Sequence, residues 1–251
     1  MPRNLFEAIG RTLGNKAGQV KSAYDLMGGT EQDSLRTEIR LGRELSAGLL
    51  KQIPPVEENE TTRFAAQIMS WLAANVKERK LPFSVRVTAE RHAKTVALPG
   101  GAIFVSWPLL EMCHGERDQI AFLIGHEMAH IVRRHALDRL VKDSALSLFL
   151  RQTSGRHAAL AWLGNAGQKL LAGGYSRDDE LEADAFAVAL VGAAGGDKSA
   201  GERFLKEVAQ RGSDESIGIA GDYFASHPPL TERIANLRAL GRVNPADPSA
   251  D

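Results

Sequence analysis

Residues 120–132 set the hardest condition on how this chain can fold. Ile120, Leu123, Ile124, Met128, Ile131 and Val132 recur at three- and four-residue intervals, the spacing of a core-facing helical stripe. Into that run the sequence inserts His126, Glu127 and His130. Ionisable groups on a mostly buried helix carry a large desolvation cost unless they are paired or liganded. Glu116, Arg117 and Asp118 put acidic charge where such a helix would begin. His126 and His130 then lie on one face, about one turn apart, so both imidazoles can reach a single ion at roughly 2.0–2.1 Å. Glu127 leaves the helix about 100° round from His126. That angle suits a carboxylate that holds a metal-activated water without itself binding the metal.

His-Glu-x-x-His is the signature of zinc proteases, although it also occurs in ordinary amphipathic helices. The extended pattern with a third histidine needs glycine at 133 and histidine at 136; here stand Arg133 and Ala136. His135 falls one residue off, and reads as a helix-surface residue or a partner behind the ligands. The strongest candidate for the third ligand is a carboxylate further along the chain. The stretch from Ser176 to Ala187 offers Glu180 and Asp184, four residues apart on one helix face. One could bind the metal while the other fixes a histidine from behind. Taken alone, the same stretch is also a solvated acidic helix start.

Four blocks in order carry a family resemblance. They are Leu98-Pro99-Gly100-Gly101 with Ile103-Phe104-Val105; Gly125 to His130 with His135; Ser176-Arg177 through Glu180 and Ala183-Asp184; and Ser226-His227-Pro228-Pro229 with Arg233-Ile234. The chain resembles metallopeptidase family forty-eight, the gluzincins that include the HtpX-type and CaaX-prenyl-endopeptidase-type proteases. The resemblance implies one zinc ion per chain, held by His126, His130 and Glu180. It implies Asp184 as the partner behind a ligand and Glu127 as general base. His227, which by itself reads as a turn residue before Pro-Pro, becomes an active-site residue that hydrogen-bonds the oxyanion or the substrate backbone. Arg233 would orient a zinc-binding carboxylate or line the cleft. Lys94 departs from the family, where asparagine often precedes the Ala-Leu-Pro-Gly-Gly run.

The remaining chain bounds the context. The 251 residues carry 31 basic and 31 acidic side chains, which argues against a nucleic-acid partner. The single cysteine, Cys113, excludes an intramolecular disulfide framework. No stretch reaches the roughly 18 consecutive apolar residues of a membrane span, and residues 1–7 lack a signal core. A soluble, cytoplasmic member is expected. Residues 4–28 have helical apolar spacing with lysines and arginine between, either a helix packed on its own domain or an arm that touches a membrane surface or partner.

Helical patterns run over 33–53 and from Thr61 to about Lys80, and the period changes to two from Phe83. Strands are expected at 83–88, 95–98 and 102–106. Gly100, Gly101, Ala102 and Ile103 are expected at a sheet edge where substrate adds as an extended strand, the glycines permitting close backbone approach. Glycines at 155, 173 and 174 leave the segment 136–175 room to act as a flap. Helices are expected over 199–211 and through Leu240, the latter capped by Thr231, with a loop at 214–221. The expected architecture is α+β, a mostly helical zincin-like domain with a small sheet beside the active-site helix. Residues 1–55 form a helical segment on a catalytic domain of 56–242, and 243–251 a disordered tail. The expected function is zinc-dependent hydrolysis of peptide bonds in unfolded or extended polypeptides. The alternative is a zinc-stabilised, chaperone-like binder of unfolded chains with little or no proteolysis, against which the intact Glu127 argues.

Overall fold

The computed structural model describes residues 30–142, 174–212, 227 and 230–242. The expected helix over 4–28, the loop over 214–221, the tail from 243 and most of the proposed flap lie outside them. Helix α1 (Glu31–Gln52) opens on a capping box in which Thr30 and Asp33 satisfy each other's backbone N–H groups. Asn59 and Thr62 do the same for α2 (Glu60–Ala73). This second helix is shorter than its apolar pattern, because the Asn75 side chain bonds the Trp71 carbonyl and the chain turns there.

Three strands come next, β1 (Ser84–Thr88), β2 (Thr95–Ala97) and β3 (Ala102–Ser106), in the order β1-β3-β2. β1 runs parallel to β3, pairing Ser84 with Ala102, and β2 runs antiparallel, pairing Thr95 with Val105. Alternation sends Val87, Ala97, Ile103 and Val105 into the main core, and Val96, Leu98 and Phe104 to the opposite face. There Leu45 and Leu49 of α1 cover them. The sheet thus separates two apolar clusters.

That order corrects one expectation. Ala102 and Ile103 begin the central strand, paired on both sides, and so form no edge. Gly100 and Gly101 are buried, and a methyl at Gly100 would stand 2.7 Å from the Ile39 Cα of α1. The close backbone approach that these glycines allow is made by the protein itself, by α1 at Gly100 and by Pro82 and Phe83 at Gly101.

After α3 (Trp107–Glu111) comes α4 (Arg117–Val132), then α5 (His135–Lys142), α6 (Arg177–Ala193), α7 (Ala200–Gly212) and α8 (Leu230–Arg242). Thr231 lies inside α8 rather than capping it. Helix α4 is buried on every side from Gln119 to Val132, more than a one-sided stripe implies. Small residues explain this: with no side chain at Gly125, α6 comes close enough that a methyl there would meet Ala187 at 3.5 Å. That contact sets the acidic face of α6 against the histidines of α4. Among the described residues, no helix is long and apolar enough to cross a membrane.

Candidate metal centre

Ser176 caps α6 through a capping box with Asp179, which fixes the start of the helix and hence the register of its later turns. Glu180 and Asp184 then point into the protein, each fully buried. Across from them, His126, Glu127 and His130 of α4 are equally buried. Arg233 of α8 and His227 complete the interior, at 0 % and 1 % exposure.

One ligand atom from each of His126, His130, Glu180 and His227 lies within 4.8 Å of the others, a group able to hold a metal ion. Hydrogen bonding outside the group dictates how each imidazole presents itself. His126 Nδ1 lies 3.0 Å from Asp184 Oδ1, so it donates there and leaves Nε2 facing inward. Inward, that nitrogen meets His130 Nε2 at 3.1 Å, His227 Nδ1 at 3.4 Å and Glu180 Oε2 at 3.5 Å. The Thr95 hydroxyl lies 2.7 Å from Glu127 Oε1 and gives its single proton to that carboxylate. His227 Nε2, 3.1 Å from the same hydroxyl, must then be the donor, which leaves Nδ1 bare and 3.0 Å from Glu180 Oε1. These tautomers are set by the bonding network.

Lone pairs that converge like this repel unless a cation sits among them. The donor set, imidazole nitrogens with one carboxylate, suits zinc and other divalent transition metals. The charges agree: the carboxylates of Glu127, Glu180 and Asp184 share the interior with the guanidinium of Arg233, which is bonded to Glu180 and Asp184. Without a metal, a proton serves. Burial and Arg233 oppose protonation of His126, but Glu180 and Asp184 outweigh them and raise its pKa to about 9. Burial holds His130 well below the usual histidine range. Burial also opposes the charge on Glu180 and Asp184, yet both carboxyls are lowered, Glu180 by its neighbours His227 and Arg233, Asp184 chiefly by Arg233.

The structure brings together His126, Glu127, His130, Glu180, Asp184, His227 and Arg233, all anticipated from the sequence. It leaves Gly100, Gly101, Ala102 and Ile103 out. His135 proves to lie behind the ligands. Arg134 adopts φ 64°, turning the chain so that His135 Nδ1 returns to within 3.1 Å of His130 Nδ1. Sequence reasoning misses two neighbours. Tyr175 stacks on the His130 ring, with centroids 3.6 Å apart and planes 13° from parallel. Thr95 bonds Glu127 and His227; its one sequence signal is a hydroxyl at an inward position of a strand, in phase with Ala97.

This arrangement, a mostly helical α+β domain with paired helices presenting His-Glu-x-x-His against a glutamate, defines a gluzincin-type metallopeptidase. The model of Peptidase family M48 matches residues 58–241, and the chain belongs to that family. It is similar to the mitochondrial metalloendopeptidase OMA1 of Schizosaccharomyces pombe, 27% identical over 70% of this chain and 52% of that one. It is also similar to the metalloprotease YcaL of Escherichia coli K12, 27% identical over 69% of this chain and 67% of that one. The beta-barrel assembly-enhancing protease of Escherichia coli O157:H7 is 22% identical over 88% of this chain and 49% of its own length. The chain thus spans about half to two thirds of the length of these three relatives.

Proposed function

We propose that the chain is a zinc-dependent endopeptidase acting on extended polypeptides, with zinc held by His126, His130 and Glu180. What carries this reading is the convergence of ligand atoms on those residues, buried beside a glutamate, Glu127, whose Oε2 has no hydrogen-bond partner among the described residues. Catalytic zinc sites keep three protein ligands and one position free. His227 stands on neither α4 nor α6, and the reading assigns it to the substrate side, where its bare Nδ1 accepts from the peptide backbone or, once protonated, hydrogen-bonds the oxyanion. When bound, the ion supplies Lewis-acid polarisation of the scissile carbonyl and acidifies water.

The chain's own residues do the rest. Glu127 takes a proton from the attacking water and returns it to the leaving amine. Asp184 fixes the His126 tautomer, and Arg233 neutralises both carboxylates behind the site. On its outer side β2 has no strand partner among the described residues, so a substrate strand can pair along Thr95–Ala97. A binder that never cuts would have no use for a buried, half-satisfied Glu127.

The test is cleavage of unfolded casein alongside zinc content per chain, with and without chelator. Wild type should cut, and chelation should stop it. Glu127→Gln should keep its zinc and lose about a thousandfold in rate, within the 10²–10⁴ range for a general base. Near-normal turnover by that variant overturns the mechanism.

A further inference from the structure

We infer that Thr95 is a positioning residue for both Glu127 and His227, through one hydroxyl shared between them. This rests on the endopeptidase reading. Thr95 is the first residue of β2, its backbone paired with Val105 and its side chain turned to the α4 face of the sheet. A β-branched side chain on a strand has few χ1 choices, so the hydroxyl is placed by the sheet rather than by the site. It gives its proton to Glu127 Oε1 at 2.7 Å and receives one from His227 Nε2 at 3.1 Å.

Each bond has a separate result. Engaging Oε1 commits one carboxylate oxygen to the sheet and leaves Oε2, buried and without a partner among the described residues, as the acceptor available to water. Accepting from Nε2 holds His227 in the tautomer whose bare Nδ1 faces Glu180 and His126. Thr95 therefore does for His227 what Asp184 does for His126, while it also aims the base. A peptide pairing along β2 lies beside the residue that aims the base, so Thr95 links the substrate-bearing strand to the proton-transfer group.

Thr95→Val keeps the branched shape and removes the hydroxyl; Thr95→Ser keeps the hydroxyl. Thr95→Val should lower kcat about 10–100-fold, as for other residues behind a metal site, with KM within about twofold. Thr95→Ser should restore most of that. In the metal-stripped chain, the His227 ring nitrogens read by NMR should show the Nε2-protonated tautomer in wild type and Thr95→Ser and lose that preference in Thr95→Val. In a His227→Phe background, Thr95→Val should lower kcat by less than it does in wild type, because the His227 share of its effect is already gone. If Thr95→Val melts too early to assay, Thr95→Ala removes the same hydroxyl without a methyl against the carboxylate. Unchanged kcat in the hydroxyl-free variants overturns the inference, and so does a serine variant as impaired as the valine one. Failure of wild type to take up zinc or cut casein removes instead the reading on which it rests.

Discussion

Arg233 grips Asp184 with two parallel bonds, Nε to Oδ2 and Nη2 to Oδ1, each 2.8 Å, and neither side chain meets solvent. Its remaining nitrogen lies 2.7 Å from Glu180 Oε2 and donates to the His227 carbonyl at 3.3 Å. One side chain from α8 thus braces two carboxylates of α6 and the backbone of His227. Breaking such a buried pair leaves uncompensated charge. Arg233→Met should cost about 3–5 kcal/mol, read as a large drop in melting temperature. Arg233→Lys should rescue little, since an ammonium cannot reproduce the planar fork.

Glu180 and Glu182 make a matched comparison. Glu180 lies in the metal group, whereas Glu182 pairs with Arg133 at 3.0 Å and lies 3.5 Å from His135. Zinc titration of stripped protein should find Glu180→Ala severely weakened and Glu182→Ala nearly normal. Asp184→Ala should fall between, at about 10–100-fold loss. A reversed order would place the ligand two residues later on α6.

His227 has three separable fates. As a donor to the oxyanion, its replacement by Phe should cut turnover about 10²–10³-fold with zinc content intact, the cost of removing one such donor. As a permanent ligand, the variant should lose zinc. Normal turnover at full occupancy would remove His227 from the site. Metal analysis and steady-state kinetics on one purified variant distinguish the three.

Gly100 has φ 81°, and an added methyl would collide with the α1 backbone at Ile39. Gly100→Ala should therefore destabilise the fold by about 1–3 kcal/mol, the range for a strained backbone position. Because the strain separates α1 from the β2–β3 turn rather than blocking substrate, melting should suffer more than KM. A KM effect without a melting effect would restore Gly100 to the substrate cleft.

The helices that carry the site were legible because their signals are local. His126, Glu127 and His130 announce themselves by spacing, and Ser176 with Asp179 marks the start of α6. What stayed hidden depends on pairing between distant segments. The alternation at Val85 and Val87 identifies β1, but nothing near it says that it joins β3 in parallel and makes Ala102 and Ile103 central. The glycines at 100 and 101 announce a close approach without naming the partner, which proves to be α1 for Gly100 and Pro82 with Phe83 for Gly101. Tyr175 and Thr95 carry no motif; only the folded chain sets one against His130 and the other between Glu127 and His227.

The brace from α8 also has a consequence for biosynthesis. Arg233 and His126 are 107 residues apart in the chain. At about 5–20 residues per second of synthesis, the helix with His126 and His130 leaves the ribosome many seconds before the guanidinium that neutralises its site. Throughout that interval, Glu180 and Asp184 lack the guanidinium that braces them in the finished fold. A nascent chain halted before residue 233 should therefore hold zinc poorly and cut nothing, so that unfinished copies are harmless to the other polypeptides being made around them.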